Sequence, residues 1–129
     1  MILEDLTSMI ELPRMVKVRQ HFDRPMIEDL TGEIRKQVEA SGVLERVKPG
    51  YRVALTAGSR QVNNFPAILK EVIEIFKEHG CKPFIVPAMG SHGGATAEGQ
   101  RGVIEGMGVT EEAMGVPILS SMETVTLGY

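Results

Sequence analysis

The sequence predicts an α/β protein with a mostly parallel sheet, and three observations support that class. Short apolar strand patterns alternate with amphipathic helix patterns from Tyr51 onward, which implies right-handed crossovers between parallel strands. Of the 129 residues, 43% are hydrophobic and 24% are charged, as is typical of soluble globular domains. Polar, glycine-containing loops follow two of the apolar strands, where open parallel sheets bind their ligands.

The first part of the chain is interpreted as an extension over 1–13, followed by a domain over 14–129. Alternation of apolar and charged residues predicts a half-exposed strand over 15–22. Pro25 is predicted to open a helix, since proline suits a first turn, and Ser41-Gly42 to end it. The predicted apolar stripe of this helix comprises Met26, Ile27, Leu30, Ile34 and Val38.

The middle of the chain is predicted to form a turn over 48–50 and a strand over 51–56, which its apolar run suggests is covered on both faces. A polar loop follows over 57–64, in which Asn63 or Asn64 is available as an N-cap. Helical spacing then predicts a helix over 65–79, ended by Gly80. Its predicted buried face comprises Phe65, Ile68, Leu69, Val72, Ile73 and Phe76.

The last part is predicted to contain a strand over 83–88, a helix over 97–107 capped by Thr96, and a short helix starting at Thr110. Strands are predicted over 116–119 and 124–127. Glycines at helical spacing indicate close packing of the 97–107 helix against a neighbour; they are Gly99, Gly102 and Gly106. The whole order predicts a three-layer, Rossmann-like domain. Because the chain stops directly after an apparent strand, we expect it to be half of a two-domain fold.

Charge and composition exclude several classes of function. A net charge of −3, with no tryptophan and few scattered aromatic residues, argues against a general nucleic-acid binder. No apolar run approaches the ~20 residues of a membrane span, and the N-terminus lacks the basic start of a signal peptide. The single cysteine, Cys81, fits a reducing compartment. We therefore expect a cytoplasmic protein with neither a nucleic-acid nor a membrane partner.

Two loops carry the candidate chemistry, one at 57–60 and the other at 89–94. If their strands are parallel neighbours, both loops open at one sheet edge and bring a hydroxyl, a guanidinium and an imidazole together. His92 suits a general base, because imidazole titrates near neutral pH. It is equally open to interpretation as a solvated loop histidine, and no second His or Cys lies at a metal-ligand spacing. The chain alone is therefore predicted to bind no metal ion stoichiometrically.

The other polar residues of these loops also have two interpretations. Arg60 matches a carboxylate or phosphate through its planar fork, or forms an ordinary surface ion pair. Ser59 lacks the Gly-x-Ser-x-Gly context of a nucleophile, so we interpret it as a hydrogen-bond donor to an anion. The turn that contains Gly90, Gly93 and Gly94 is similar to a phosphate-binding turn, with weak specificity.

The two loops and their strands carry a resemblance. The stretches Val53–Arg60 and Phe84–Thr96 resemble the N-terminal domain of the nickel-dependent lactate racemase family, whose second loop reads Gly-x-His followed by Thr. The resemblance covers about residues 14–129. It implies a two-domain enzyme with its active site between the domains and a nickel-pincer nucleotide as cofactor. It also implies racemisation of a 2-hydroxy acid by hydride transfer to that cofactor, while a histidine takes the hydroxyl proton.

The resemblance assigns roles to individual residues. His92 matches a proton-transfer histidine, Ser59 matches the family's acidic position, and Arg60 matches the neighbour of that position. Substrate or cofactor contacts are expected from Ser59, Arg60, Gly90, Ser91, Gly93 and Thr96. Val62 stands where the family has a second arginine, which extends the expected substrates from lactate to related hydroxy acids and sugar acids. The cofactor-bound lysine, the nickel-binding histidine and the second proton-transfer histidine belong to a missing C-terminal domain beyond the chain.

Two further interpretations remain open at this point. The loops of a non-catalytic α/β module would hold a nucleotide or other anionic ligand without chemistry. An assembly domain would instead pair its exposed sheet edge with another chain, for example in a homo-oligomer. The sequence after Tyr129 discriminates between these readings, because only the enzyme needs a downstream lysine and two further histidines.

Overall fold

The structure is a computed structural model that describes residues 14–60 and 62–128. The interpretation of residues 1–13 as an extension lies outside these residues. The helices and strands come in the order α1, β1, α2, β2, α3 and α4, and they span Leu30–Ala40, Arg52–Ala57, Phe65–Glu78, Lys82–Pro87, Ala97–Gly106 and Glu111–Met114. Short 3-10 turns lie at Val43–Arg46 and His92–Ala95. No described helix is long and apolar enough to cross a membrane.

The sheet confirms the α/β class and its parallel character. Strands β1 and β2 pair in parallel, from Arg52 opposite Lys82 to Ala57 opposite Pro87, and α2 is the crossover between them. On the other side of β2, Ile118 forms a parallel bridge with Ile85. The Ile85 amide donates to the Pro117 carbonyl at 2.9 Å, and the Leu119 amide donates to the Ile85 carbonyl at 2.8 Å. The strand predicted over 116–119 is thus reduced to this bridge.

The core lies between one sheet face and the helices. Ile73 of α2, Ile85 of β2, Ile104 of α3 and Val109 are fully buried. Their shared cluster also includes Leu69 of α2, one of the residues that helical spacing assigned to the buried face. Helix α1 packs on α2, where the Arg35 guanidinium lies 2.6 Å from the Glu71 carboxylate and 2.7 Å from that of Glu78.

Strand β1 is covered on one face only among the described residues. Arg52, Ala54 and Thr56 are exposed, whereas Ala57 is fully buried. Residues 14–60 and 62–128 therefore do not provide the cover on both faces that the sequence predicts. The reason is that α2 and α3 both contribute to the one core on the Ile85 side.

The strand predicted over 15–22 is wrong, because this segment has no regular structure. Val16, Val18 and Phe22 are 79%, 78% and 66% exposed. Alternation alone does not make a strand, since the backbone also needs a partner for its hydrogen bonds. The strand predicted over 124–127 is wrong for the same reason, with Leu127 96% exposed.

Helix α1 begins at Leu30, five residues later than the sequence predicts. The Asp29 carboxylate accepts a hydrogen bond from the Gly32 amide at 2.9 Å and so caps the helix at Leu30, in place of the start expected at Pro25. Met26 and Ile27 consequently lie outside the helix and are exposed. The predicted end is confirmed, because Ser41 is the C-cap and Gly42 adopts the left-handed conformation.

The remaining helix ends agree closely with the sequence. Thr96 and Thr110 cap α3 and α4, each accepting a hydrogen bond from an amide three residues later, at 3.0 and 3.1 Å. Asn64 occupies the N-cap position of α2 but makes no capping hydrogen bond through its side chain. Cys81 is buried, where a free thiol packs like a small apolar side chain.

Candidate functional site

The two candidate loops share one edge of the sheet, as the sequence predicts. Strand β1 ends at Ala57 and strand β2 ends at Pro87. The amide of Ala88 donates a 2.8 Å hydrogen bond to the carbonyl of Ala57, so the loops leave the sheet side by side. The parallel register therefore places the residues after both strands at the carboxyl end of the sheet, where open α/β sheets bind ligands.

A hydrogen bond joins the two loops at this edge. Nδ1 of His92 pairs with Oγ of Ser59, although the two residues are 33 positions apart in the sequence. When Nδ1 carries the ring proton and donates to Ser59, Nε2 keeps its lone pair and can accept a proton. The pair therefore holds an imidazole in an orientation suited to a general base.

A cleft of about 400 Å³ opens beside this pair. Arg60 lies at its exposed rim, where a guanidinium can bind a carboxylate or phosphate in two hydrogen bonds. The lining of the cleft includes Ser59 and His92 together with three apolar residues, Val62, Phe65 and Met89. The cleft thus combines a base, a cation and an apolar wall.

The turn that carries His92 depends on glycine. Gly90 and Gly93 have φ angles of +61° and +64°, which side chains other than glycine rarely adopt. A Cβ on Gly93 would lie 2.5 Å from the amide nitrogen of Gln100, so the turn also packs closely on α3. These glycines act through the backbone, and Gly90, Ser91, Gly93 and Thr96 lie outside the lining of the 400 Å³ cleft.

Thr96 has a structural use in this region. Its hydroxyl donates to the carbonyl of Gly93 at 3.1 Å and accepts from the amide of Gly99 at 3.0 Å. The hydroxyl therefore joins the turn to the first turn of α3. The contact of Thr96 with a ligand stays a prediction.

Gln100 contributes to the site and was missed by the sequence analysis. It is 5% exposed, and its Nε2 donates a 2.6 Å hydrogen bond to the carbonyl of Gly90. The available signal was an amide side chain directly after Gly99, in a glycine-rich helix that starts at the end of a candidate loop. Buried amides of this kind usually have a specific partner.

Perturbed acids and bases lie away from the cleft. The Arg35 guanidinium lowers the pKa of the Glu78 carboxyl through their hydrogen bonds, and this pair joins α1 to α2. The backbone amide of Ile118 lowers the pKa of Glu111, with help from Arg101. Both arrangements hold elements of the fold together. Residues 14–60 and 62–128 contain no group of three or more His, Cys, Asp or Glu side chains arranged to hold a metal ion.

Comparisons with protein-family models, curated proteins and solved structures found no match for this chain.

Proposed function

We propose that this chain is the N-terminal α/β domain of a racemase or epimerase that acts on a 2-hydroxy acid. The observation that carries the proposal is the hydrogen bond between His92 and Ser59 at the carboxyl edge of two parallel strands. Arg60 beside this pair supplies the positive charge that a 2-hydroxy acid needs. The resemblance to the nickel-dependent lactate racemases agrees with this assignment of residues.

Each of the three polar residues has a separate task in the proposed reaction. Nε2 of His92 takes the proton from the substrate hydroxyl, and Ser59 holds the ring through Nδ1. Arg60 binds the substrate carboxylate and thereby orients the carbon that carries the hydroxyl. The apolar side chains of Val62, Phe65 and Met89 line the same cleft, where they would contact the apolar part of the substrate. Inversion requires the hydride to return to the other face of C2 while a second acid–base group returns the proton to the oxygen, and we assign that group to a second domain.

The proposed cofactor is the nickel-pincer nucleotide of the resembling family. When bound, it would supply the acceptor for the hydride from C2 of the substrate. Among the described residues that line the 400 Å³ cleft, His92 is the only histidine, and no cysteine or carboxylate lies beside it, so these residues do not fit the nickel itself. They fit the proton-transfer side of the site, and the nickel ligands would come from the sequence after Tyr129.

The exposed face of the sheet supports the finer architecture of this proposal. Ala54 and Thr56 are exposed on the face opposite Ile85, although strands of parallel sheets are usually covered on both sides. A further layer on this face would complete the three-layer, Rossmann-like arrangement. The single buried cysteine agrees with a reducing, cytoplasmic location.

A labelling experiment tests the proposed reaction. The full-length protein, loaded with cofactor, is incubated with single enantiomers of 2-hydroxy acids and sugar acids that carry deuterium at C2. We expect loss of enantiomeric excess with the deuterium retained, because a hydride that returns to the same carbon does not exchange with water. Washout of deuterium would indicate proton abstraction from carbon, and an unchanged enantiomer across the panel would overturn the proposal.

The alternative function is a module that binds a nucleotide or another anion without catalysis. The observation that favours it is the exposed guanidinium of Arg60 at the rim of a cleft formed within a single chain. Calorimetric titration of this chain with nucleotides, inorganic phosphate and lactate distinguishes the two functions. Stoichiometric nucleotide binding that Arg60→Ala abolishes, together with no racemisation by the full-length protein, would favour the module.

A further inference from the structure

Gln100 is the buried polar side chain of the described core. It lies in the first half of α3 and is 5% exposed. Its amide reaches out of the helix to the carbonyl of Gly90, ten positions earlier, at 2.6 Å. A buried amide loses its hydration on folding, so it stabilises a structure only where it finds such a partner.

The turn that carries His92 is attached to α3 on both sides of that residue. On one side, the Gln100 amide holds Gly90. On the other side, the Thr96 hydroxyl donates to the carbonyl of Gly93, and the backbones of Gly93 and Gly99 lie in close contact. His92 therefore lies between two points fixed to the same helix, while its own side chain is exposed and has Ser59 as its hydrogen-bond partner within the described part of the chain.

We propose that Gln100 is a positioning residue for His92. The Gln100 amide holds Gly90, which holds the turn at the distance where the His92 ring reaches Ser59. The Gly93 attachment is made by the Thr96 hydroxyl and by backbone contact with Gly99, so it would survive a change at Gln100. The Gln100 amide acts on the other end of the turn, which follows β2. The consequence for turnover rests on the proposed function, whereas the effect on the ring position does not.

Loss of the Gln100 amide should move the turn more than it unfolds the protein. Gly90 is exposed, so water can replace the amide as the hydrogen-bond donor to its carbonyl. Gln100→Met approximately keeps the length of the side chain and removes its amide, including the Nε2 donor. Gln100→Glu keeps the length and, at neutral pH, places a carboxylate where the donor stood.

The experiment measures the turn by nuclear magnetic resonance in this chain, without substrate. In wild type we expect a nuclear Overhauser contact between the His92 ring and the Ser59 side chain, and partial protection of the His92 amide, which donates to the Met89 carbonyl. In Gln100→Met we expect loss of the ring contact and amide exchange faster by about 5- to 10-fold, the effect of one hydrogen bond. Gln100→Glu should give the same loss.

Ile104→Val is the matched control. Ile104 is fully buried in the same helix, so this change lowers overall stability without touching the turn. It should retain the ring contact and the His92 amide protection. Retention of both in the two Gln100 variants, or the same loss in Ile104→Val, would overturn the proposal.

Kinetics of the full-length enzyme add a second readout. Gln100→Met should lower kcat by up to ~10²-fold with little change in KM, because a misplaced base fails in the transition state and not in binding. Failure of the proposed function would appear as wild-type turnover in His92→Ala, a result that leaves the ring measurement of Gln100 unaffected.

Discussion

The backbone of Gly93 lies directly against the backbone of Gly99, so that a Cβ on Gly99 would overlap the Gly93 carbonyl oxygen. This contact brings the turn of His92 against the first turn of α3. Two side-chain hydrogen bonds also hold the turn against the helix. The Thr96 hydroxyl donates to the Gly93 carbonyl, and the Gln100 amide donates to the Gly90 carbonyl. The geometry of the candidate site therefore depends on the absence of side chains at two positions.

Alanine substitutions at two glycines of α3 should have opposite effects. Gly99→Ala forces the turn away from the helix, so we expect a clear loss of stability. Gly102 has open space around its Cβ position, and Gly102→Ala should stabilise by up to ~1 kcal/mol, the difference in helix propensity. Urea denaturation of both variants measures the effect. Equal free energies of unfolding for the two variants would show that the close contact at Gly99 is absent.

A second pair separates backbone strain from steric overlap. Gly93 and Gly94 have similar φ angles of +64° and +70°, but a Cβ on Gly94 meets nothing within 4 Å. Gly94→Ala should therefore cost only the left-handed conformation, about 1–2 kcal/mol. Gly93→Ala should cost more and should also displace His92, which is detectable in the spectrum of its ring. A smaller loss in Gly93→Ala than in Gly94→Ala would contradict this assignment.

The sequence predicts which loops share the sheet edge, because the patterns of the strands and of the helix between them are local. Amphipathic spacing predicted α2 as a crossover, and a crossover between apolar strands brings Ser59 and His92 to one edge. The segment over 15–22 could not be judged in this way, because a strand depends on a partner that the local pattern does not specify. Likewise, helical spacing grouped Gly102 with Gly99, although only Gly99 has a close neighbour. Gln100 was missed because its partner is a backbone carbonyl.

Stability should fall in acid through carboxylates that are hydrogen-bonded in the fold. The pKa of Glu111 lies below its ordinary 4.5 because the Ile118 amide and Arg101 favour the charged form. A carboxyl whose pKa is lower in the folded state than in the unfolded state stabilises the fold. This stabilisation is fully present above pH 4.5, and it is lost as the pH falls through the folded-state pKa. We expect Glu111→Gln to flatten the decline between about pH 5 and pH 3 in urea denaturation.

Glu112→Gln is the control for this pH dependence. Glu112 is an exposed neighbour in the same short helix, so the variant should follow the wild-type curve. The difference in stability between wild type and Glu111→Gln should change little with salt concentration, because the hydrogen bond from the Ile118 amide to the Glu111 carboxylate is a short-range contact. If Glu111→Gln and wild type lose stability in parallel on acidification, the Glu111 carboxylate does not link α4 to the Ile118 bridge.

Loss of the Ser59 hydroxyl should change the orientation of the His92 ring and leave the imidazole itself in place. Ser59→Ala leaves His92 in place but takes away the partner of Nδ1, so the ring samples other orientations. Under the proposed function, we expect kcat to fall about 10-fold, less than on removal of the imidazole itself. Ser59→Thr keeps a hydroxyl at the same position and should retain most of the wild-type kcat. Similar losses in both variants would mean that the hydroxyl is not what orients the ring.

Substitution of the two cleft residues His92 and Arg60 should change different kinetic constants of the full-length enzyme. A base that takes the hydroxyl proton acts in the transition state, so His92→Ala should lower kcat by ~10²–10⁴-fold with a smaller rise in KM. Arg60→Ala should mainly raise KM, because the guanidinium contacts an anion before and during reaction. Steady-state kinetics against a panel of 2-hydroxy acids, with cofactor occupancy measured separately, tests both expectations.

His21→Ala is the matched control for that experiment. His21 is exposed in a segment without regular structure and is not part of the cleft lining, so its loss should leave both kcat and KM unchanged. Wild-type turnover in His92→Ala at full cofactor occupancy would show that His92 is a loop histidine without a catalytic role. The likeness to the racemases would then extend to the sheet edge and its glycine turn, and not to the proton transfer that the Ser59 contact supports.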